Sequence, residues 1–486
     1  MRKQLSILLL VALLLTAIPN FAFAHSSMST EAEAHILNEL RRANIPNAAI
    51  AVIQGGETSY ILKDSEHDTL FEIGSVTKSF TGFGVLLLED MGLLSVSDPV
   101  SQHLPWFEVR YNGEPVPHED ITIYNLLQHT SGFTSDERRF PSTVKELSKD
   151  ELISQLRGIE LAFYPSEGHV YGNINYVILG LLIEAVSGQS YDDFMTQNVL
   201  HPLGLYDTFT SVRRAYDTGR VIGGHRFGFL RPRPHNPQWA SQTMPTGGIY
   251  SSISDMARWA GIHLGVIEVS EQFTRVVQRS HENNHTSQNP FAETDFIATA
   301  GWNVLLDGND FVGDGKIMHG GSTFGYIAYV GIIPERDTAI VFLSNFRQMN
   351  LEGWLFLLWD AVNGEYLSSI GIDLFAIFDI VFVALTALGI LFIGLFVRLA
   401  VKVSKQLRSG EKAKPKLRIR WLVGLMPSII GLLFFYVLAP MLFAAPSLSA
   451  LLIMPPASTI TAVIAMWIMA AYALFSLWAK VFVNPW

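Results

Sequence analysis

A serine and a lysine stand three residues apart in the segment FEIGSVTKSFTG, residues 71–82. On a helix Ser75 and Lys78 would share one face, so the lysine amine could reach the serine hydroxyl. A serine hydroxyl needs a base to act as a nucleophile, and a lysine is a base only when burial or a nearby cation lowers its pKa. The apolar run VLLLEDMGLL that follows would supply this burial. The pair indicates nucleophilic catalysis, and a surface lysine beside a helix-capping serine is the alternative that this spacing leaves open.

Two further segments carry polar groups of the same kind. Tyr171-Gly172-Asn173 precedes a helical pattern, and His319-Gly320-Gly321 precedes a strand-like run. With the serine–lysine pair they form three motifs, S-x-x-K, Y-x-N and H-x-G, in one chain order. The stretches ITIYNLLQHTSGF and MPTGGIYSSISDMARW accompany them.

With these motifs, residues 31–350 resemble the serine β-lactamase and penicillin-binding-protein superfamily, in its class C-like branch, which includes D-amino-acid peptidases and serine esterases. The resemblance implies that Ser75 is the nucleophile of an acyl-enzyme and that Lys78 and Tyr171 share the proton transfer. A phenol near a lysine ammonium favours phenolate, so Tyr171 and Lys78 are expected to titrate as a unit.

The resemblance also implies a set of substrate-binding residues. Asn173 would orient Lys78 and the substrate amide, and the N–H of Ser322 would complete an oxyanion hole with the nucleophile's own N–H. Gly320 and Gly321 would let a substrate backbone approach the strand edge. Enzymes of this branch that act on free carboxylates usually have lysine where this chain has His319, which is mostly neutral at alkaline pH. The difference favours an ester or peptide substrate over β-lactam turnover.

The elements that must position these residues can be predicted from their patterns. AAIAVIQGGETSYILKD predicts a hairpin near the N-terminus, and TFGYIAYVGII followed by PERD and TAIVFLSN predicts another near residue 344. Between them lie helical patterns: NYVILGLLIEAVSG ends at Gly188, and in SISDMARWAGIHLG a serine precedes the helical run. We expect an α/β fold in residues 25–366: a β-lactamase/transpeptidase-like sheet built from both ends of the exported domain, with a helical subdomain inserted.

The N-terminal segment is typical of a secretory signal peptide. Arg2 and Lys3 precede an apolar run, and Ala22-Phe23-Ala24 forms a cleavage site that would remove residues 1–24. An uncleaved anchor is the alternative. Either way, the following domain is expected to be exported.

The C-terminal part predicts a three-helix membrane tail. Residues 372–397, 421–444 and 459–483 are each apolar and long enough to span a bilayer. The segment 398–420 between the first two contains nine Lys or Arg and one acid, so the positive-inside rule places it in the cytoplasm. The protein is therefore expected in the cell membrane as a multi-pass protein with its catalytic domain outside. Asp373 and Asp379, near the start of the first span, are interpreted as lying at the outer interface rather than as functional intramembrane charges.

Composition excludes several classes of function. The exported part has 22 basic against 41 acidic residues, a formal charge of about −19, which should repel nucleic acid. The chain has no cysteine, so it has no disulfide or thiolate metal site. HENNH at 281–285 fits a zinc-protease pattern, but its asparagines are poor helix formers and no third ligand is evident, so no metal or cofactor is expected. His129, in LLQHTSG, is interpreted as a structural hydrogen-bonding residue, with a catalytic base as the alternative.

Three hypotheses for function remain at this stage. The first is an anchored serine hydrolase that acts on an ester or amide, with a small molecule or a D-amino-acid-containing cell-wall peptide or ester as substrate. The second is a penicillin-acylated sensor, or a β-lactamase with little activity on wall substrates, whose membrane tail would contact a protein partner. The third is an inactive envelope scaffold, which the intact motifs disfavour.

Overall fold

A computed structural model describes residues 28–133, 146–282, 296–305, 317–347, 351–364, 374–409 and 459–482 of the 486 residues. The predicted signal peptide (1–24) and the second predicted span (421–444) lie outside the described residues. The strands are β1 (Ala48–Gln54), β2 (Glu57–Lys63), β3 (Phe71–Glu72), β4 (Val109–Tyr111), β5 (Glu114–Pro115), β6 (Ile159–Glu160), β7 (Thr208–Phe209), β8 (His225–Gly228), β9 (Arg231–Pro234), β10 (Tyr250–Ser251), β11 (Phe296–Ala298), β12 (Asn303–Leu305), β13 (Ile317–Ser322), β14 (Ile327–Ile333) and β15 (Thr338–Ser344).

The main helices of the domain lie between β2 and β11. The α-helices are α1 (Thr30–Arg42), α2 (Thr77–Asp90), α3 (Val100–His103), α4 (Ile123–Leu127), α5 (Lys149–Leu156), α6 (Asn173–Ser187), α7 (Tyr191–Phe194), α8 (Val212–Asp217), α9 (Met244–Gly247), α10 (Ile253–Leu264), α11 (Glu271–His281), α12 (Leu351–Val362), α13 (Leu374–Arg408) and α14 (Thr459–Phe482). Turns of 3-10 helix cover Gly74–Val76, His118–Asp120, Ser241–Thr243 and Pro334–Arg336, and a π-helical turn covers Met195–Leu200.

A seven-stranded sheet is built from both ends of the domain, as predicted. Its strand order is β11-β12-β13-β14-β15-β1-β2, and β1 joins the two halves by pairing antiparallel with β15 from Ala48↔Ser344 to Gln54↔Thr338. Both predicted hairpins are present, as β1–β2 and β14–β15. The observed architecture is the mixed α/β arrangement that the sequence predicts for the domain.

The central strands are buried on both faces. In β1, Ala49, Ala51 and Ile53 face the core that contains α2, α6 and α10, whereas Ile50 and Val52 face α1 and α12. Side chains alternate across a strand, so one apolar strand supplies two cores. The first core contains the helical subdomain, and this subdomain carries two of the three motifs to the sheet.

The helix boundaries follow local capping chemistry. Gly188 ends α6 in the left-handed conformation, with φ 70°, and Ser252 begins α10 by accepting a hydrogen bond from the N–H of Asp255. Glycine adopts positive φ without a Cβ clash, and a serine oxygen satisfies an N–H that the first helical turn leaves free. Both boundaries agree with the sequence prediction.

The C-terminal helices agree with the prediction in part. Helix α13 begins at Leu374 and continues to Arg408, so the predicted loop 398–420 begins within a helix. Lys405 and Arg408 in its last turn stabilise this extension through the helix dipole. Among the described residues, one helix is long and apolar enough to cross a membrane, over Asp379–Lys405. Helix α14, in the third predicted span, packs along it, and Thr386 Oγ1 lies 3.0 Å from Thr461 Oγ1.

Candidate active site

Ser75 lies in the 3-10 turn Gly74–Val76, which runs directly into α2. The prediction of a continuous α-helix from Ser75 to Lys78 is therefore wrong in detail, because the serine precedes the first α-helical residue, Thr77. Gly74 has φ +54°, which favours glycine and lets the chain turn sharply from β3 into the helix. The two side chains still meet, and Lys78 Nζ lies 3.1 Å from Ser75 Oγ.

Lys78 is fully buried, and its amine makes three polar contacts. Besides Ser75 Oγ, Nζ lies 2.8 Å from Asn173 Oδ1 and 2.7 Å from the backbone oxygen of Thr246. Burial lowers the pKa of Lys78 well below its ordinary value because desolvation penalises the charged ammonium. A neutral amine has two N–H groups, and the amide and peptide oxygens can only accept them. Its lone pair then faces Ser75, which is the arrangement that a general base requires.

Tyr171 stands at the open side of this pair, in the loop before α6. Its ring is 39% exposed and lies 4.8 Å from Lys78 Nζ, measured to the ring centroid, while its hydroxyl is turned inward to hydrogen-bond with Ser75. Burial of the hydroxyl raises the pKa of Tyr171. The expectation of a phenolate paired with a lysine ammonium is therefore wrong. Desolvation acts on both groups, and it favours a neutral phenol beside a neutral amine.

His129 has the structural role that the sequence suggested. It is buried with φ 60°, and its Nδ1 accepts hydrogen bonds from the N–H of Gly172 at 3.3 Å and from Asn175 Nδ2 at 3.1 Å. Ser131 Oγ donates to Asn175 Oδ1 at 2.6 Å. The HTSG segment thus holds the loop that carries Tyr171 and Asn173, and burial keeps the pKa of His129 well below its ordinary value.

Strand β13 approaches the Ser75 turn very closely. A Cβ on Gly321 would stand 2.0 Å from Ile73 O and 3.1 Å from Ser75 N, and a Cβ on Gly74 would stand 2.8 Å from Ser322 N. Pairing of β13 with β12 ends at Met318. Beyond it, the backbone edge of residues 319–322 that β12 leaves unpaired faces the Ser75 turn. The chain thereby brings the N–H groups of Ser75 and Ser322 to one place, where an oxyanion could bind.

The reason predicted for Gly321 needs correction. The prediction was that Gly320 and Gly321 leave space for a substrate backbone, but the space beside Gly321 is filled by the protein's own Ile73 carbonyl. Gly321 is needed because strand and turn pack backbone against backbone. The role of Gly320 in substrate approach stays a prediction.

His319 is buried on β13 and is neutral. Its Nδ1 donates to the backbone oxygen of Gly320 at 2.8 Å, and its ring centroid lies 6.3 Å from that of Tyr171. Burial is the main cause that lowers the pKa of His319, to about 3. The third motif therefore offers a substrate no positive charge from its histidine even at neutral pH, whereas the sequence predicted a mostly neutral histidine only at alkaline pH.

Two participants in the site were not identified from the sequence. The Thr246 carbonyl, in MPTGGIY, accepts from Lys78, and a backbone oxygen has no signature in residue type. Glu72 is buried three residues before Ser75, accepts a hydrogen bond from Trp239 Nε1 and another from the Tyr250 hydroxyl at 3.1 Å, and has its pKa raised to about 7 by burial. Its position beside the S-x-x-K motif was the only available signal.

The zinc-like segment begins at the residue where α11 ends. His281 is the last residue of α11, and its Nε2 lies 2.9 Å from Nδ1 of the buried His263. The remaining residues of the motif, from 283 onward, lie outside the described ones. Within the part of the chain that the structure describes, no group of three His, Asp or Glu residues is arranged to hold a metal ion.

Comparisons with known proteins agree with the observed fold. A family model described as Beta-lactamase matches residues 32–354. A class C beta-lactamase from Rhodobacter sphaeroides superimposes with a TM-score of 0.57 at 24% sequence identity, over 69% of this chain and 99% of that one. Another structure, titled a class C beta-lactamase, superimposes with a TM-score of 0.58 at 18% identity, over 70% of this chain and 98% of that one. At these identities the structural likeness concerns the fold alone.

Curated relatives extend the likeness to sequence. Protein flp of Staphylococcus aureus (strain NCTC 8325 / PS 47) is 30% identical over 325 residues, which are 64% of this chain and 62% of the relative. A penicillin-binding protein of Bacillus subtilis (strain 168) is 35% identical over 154 residues, or 30% of this chain and 32% of that protein. The match with flp thus spans less than two thirds of the length of that relative.

Proposed function

Because the chain belongs to the β-lactamase family of serine hydrolases, we propose that it is a membrane-anchored, extracytoplasmic serine hydrolase. Its Ser75 would form an acyl-enzyme with an ester or amide, and D-amino-acid-containing compounds of the cell envelope are the proposed substrate class. The observation that carries this proposal is the set of three contacts at Lys78 Nζ, which directs a buried amine at Ser75 Oγ.

The proposed reaction begins with proton transfer from Ser75 to Lys78. As Oγ bonds to the substrate carbonyl carbon, the hydroxyl proton moves to Nζ and the carbonyl oxygen takes the negative charge. The N–H groups of Ser75 and Ser322 would bind this oxyanion. When the tetrahedral intermediate collapses, the alcohol or amine leaves with a proton supplied through Lys78 or the neutral phenol of Tyr171. Water then adds to the acyl-enzyme by the same route and releases Ser75.

The neutral third motif supports an ester or peptide substrate. A free carboxylate is best bound by a fixed cation, and the pKa of about 3 keeps His319 uncharged at neutral pH. Its ring can still exchange hydrogen bonds with a neutral amide or ester. Tyr171, exposed at the mouth, offers an aromatic surface to the acyl or leaving group.

Membrane anchoring is supported by the surface of the C-terminal helices. Ile390 on α13 is 66% exposed, and Leu391 on α13 and Leu474 on α14 are 59% and 61% exposed, which would be costly in water. The two helices approach closely at one pair of small residues, since a Cβ on Gly389 would stand 2.3 Å from Ala465 Cβ. Close approach at small residues is typical of helix pairs within lipid. The proposed topology has a signal peptide over 1–24, three spans and a basic loop over 398–420 in the cytoplasm.

Intact-mass spectrometry of the full-length protein tests the proposed chemistry. The protein is mixed with a short-chain activated ester and, separately, with a penicillin. We expect rapid ester turnover that is lost in Ser75→Ala and kept in Ser97→Ala, a matched change at an exposed serine. Turnover retained by Ser75→Ala would contradict the assignment of the nucleophile. A long-lived penicilloyl adduct on Ser75, with no ester turnover, would instead favour a penicillin-acylated sensor.

Protease accessibility tests the proposed topology. Protease added outside intact cells should degrade the domain that contains Ser75 and spare the basic segment 398–420. Permeabilised cells are the control, because both regions should then be cleaved. Protection of the Ser75 domain in intact cells would overturn the extracytoplasmic placement.

A further inference from the structure

The hairpin β8–β9 has a composition that its position in the domain does not explain. Its sequence, HRFGFLRPRP over residues 225–234, contains three arginines and no acidic residue, in a domain of charge about −19. Its turn residues, Phe229 and Leu230, are 38% and 60% exposed. Arg231 is exposed, and Arg233 lies over the Phe229 ring at 5.7 Å. An apolar tip flanked by arginines is suited to an interface between water and lipid.

The backbone of the turn is unfavourable for the residues that it contains. Phe229 has φ 54° and Leu230 has φ 65°, so two consecutive bulky side chains occupy the left-handed region. Two-residue hairpin turns of this conformation usually contain Asn-Gly, Asp-Gly or Gly-Gly. The chain therefore keeps large apolar residues at the tip although smaller ones would form the turn with less strain. This indicates a role for the apolar side chains themselves.

A carboxylate from the apolar helix holds this turn in place. Asp379 Oδ1 accepts a hydrogen bond from the N–H of Phe229 at 3.0 Å, and Oδ2 accepts one from the N–H of Leu230. Asp379 is fully buried and lies near the beginning of α13, at the start of its membrane-length apolar segment. Both backbone donors of the strained turn are thereby satisfied by one side chain. Consequently the tip lies where the apolar surface of α13 begins, beside the exposed Ile380.

We propose that the hairpin over residues 225–234 is a second membrane contact, in which Phe229 and Leu230 enter the outer interfacial layer and Arg231 and Arg233 bind anionic lipid headgroups. Asp379 fixes the hairpin on α13 so that both elements meet the bilayer together. This inference rests on the proposed membrane anchoring by α13. Continuity with the exposed apolar surface of that helix and the local positive charge identify lipid as the occupant.

The base of the hairpin connects this contact to the catalytic domain. The N–H of His225 donates to the backbone oxygens of Asn345 and Gly325, at 2.8 Å and 3.1 Å. A Cβ on Gly325 would stand 2.5 Å from His235 O, immediately after the hairpin. Gly325 closely follows Ser322 in the chain. The hairpin would therefore hold the active site around Ser75 and Ser322 at a fixed height above the membrane surface.

The absence of cysteine allows a direct test on the full-length protein. Leu230→Cys is labelled with an environment-sensitive fluorophore and reconstituted in nanodiscs of phosphatidylcholine with phosphatidylglycerol, to which lipids with spin labels at shallow or deep positions are added. Leu93→Cys is the control because Leu93 is also exposed. It follows α2, which packs on one face of the sheet, whereas α12 packs on the opposite face. We expect a blue-shifted emission at position 230 and severalfold stronger quenching there by the shallow spin label than at position 93.

The outcomes separate this inference from the anchoring on which it rests. Alkaline extraction reports whether the chain is integrated in the bilayer, and ester turnover reports that it is folded. Equal, weak quenching at both positions in an integrated, active protein would overturn the membrane role of the hairpin and leave the anchoring in place. Release of the active protein by alkaline extraction would overturn the anchoring itself.

Two sets of substitutions test the parts of the proposal in the Leu230→Cys protein. Asp379→Asn keeps the size of the side chain but replaces one acceptor oxygen by a donor, so quenching should fall towards the value at position 93. Arg231→Gln with Arg233→Gln should abolish the increase in quenching that phosphatidylglycerol causes over pure phosphatidylcholine. Unchanged quenching in Asp379→Asn would overturn the role of Asp379 as the docking group. An unchanged response to phosphatidylglycerol would overturn headgroup binding by the arginines.

Discussion

Lys78 Nζ lies 2.8 Å from Asn173 Oδ1, although 95 residues separate the two in the chain. The amide oxygen and the Thr246 carbonyl occupy two sides of the amine with acceptors that carry no net charge. A carboxylate in either place would stabilise the ammonium and remove the base. The site thus orients the amine by hydrogen bonds while burial keeps its pKa low.

Asn173→Asp should shift the pH dependence of acylation upward. A carboxylate beside Lys78 favours its charged form and raises its pKa by roughly 1 to 3 pH units. The rate of ester acylation at neutral pH should fall in proportion to the smaller fraction of neutral Lys78 amine. At high pH the amine is neutral again, and the rate should recover. The measurement is a pH–rate profile from rapid-mixing mass spectrometry. Asn44→Asp, an equal charge change at an exposed position with φ 54°, is the control; an unshifted profile in Asn173→Asp would show that Lys78 is not the base.

Gly321→Ala should disrupt both the strand–turn contact and catalysis. The new Cβ would meet Ile73 O at 2.0 Å, and backbone atoms cannot move aside without separating β13 from the Ser75 turn. Overpacking of this kind costs about 1–3 kcal/mol of stability. Thermal unfolding and ester turnover measure the two effects. Gly223→Ala is the control because nothing lies within 4 Å of its Cβ position. If both variants have the same stability and ester turnover, the close contact between β13 and the Ser75 turn is not required for either.

The sheet and its main helices could be predicted because their signals are local. A run of apolar, β-prone residues before Gly55-Gly56 identifies β1, and a terminal glycine or serine identifies one end of α6 or α10. The three motifs were predicted to converge from the family resemblance, and the geometry brings Ser75, Lys78 and Asn173 within hydrogen-bonding distance. The predicted spans of the tail were found only in part, since 421–444 lies outside the described residues.

Other features could not be predicted because they depend on groups far apart in the chain. Trp239 donates to Glu72 across 167 residues, and β13 lies against the Ser75 turn through backbone atoms that any sequence shares. The protonation states were also mispredicted. The sequence suggested a phenolate at Tyr171 stabilised by a lysine ammonium, but the degree of burial decides the charge of both groups, and it cannot be read from their spacing.

Glu72→Gln should flatten the dependence of stability on pH. Because burial raises the pKa of Glu72 to about 7, the folded state binds a proton that the unfolded state releases near its ordinary value of 4.5. The contribution of Glu72 to stability is therefore full at pH below 4.5 and is lost as the pH rises to 7. Proton linkage limits this loss in the free energy of unfolding to about 3 kcal/mol. Glutamine resembles the protonated acid and does not titrate.

Thermal unfolding of the wild type and of Glu72→Gln from pH 4 to 8 measures this contribution. We expect the stability of the variant relative to wild type to increase over the window in which Glu72 ionises. Glu66→Gln, at an exposed glutamate, is the control and should keep the pH dependence of the wild type. Parallel curves for Glu72→Gln and wild type would mean that Glu72 is already ionised in the folded protein.

His319→Lys should move the substrate preference towards free carboxylates. The neutral imidazole offers no charge at neutral pH, whereas a lysine at this position on β13 could form a charge-assisted hydrogen bond of about 1.5–3 kcal/mol, worth roughly 10- to 100-fold in relative rate. The measurement compares kcat/KM for two esters that differ by a carboxylate, together with the rate of penicillin acylation. His319→Gln controls for loss of the ring without added charge. If His319→Lys leaves the ratio for the two esters unchanged, the third motif does not contact that part of the substrate, and the argument for an ester or peptide substrate fails with it.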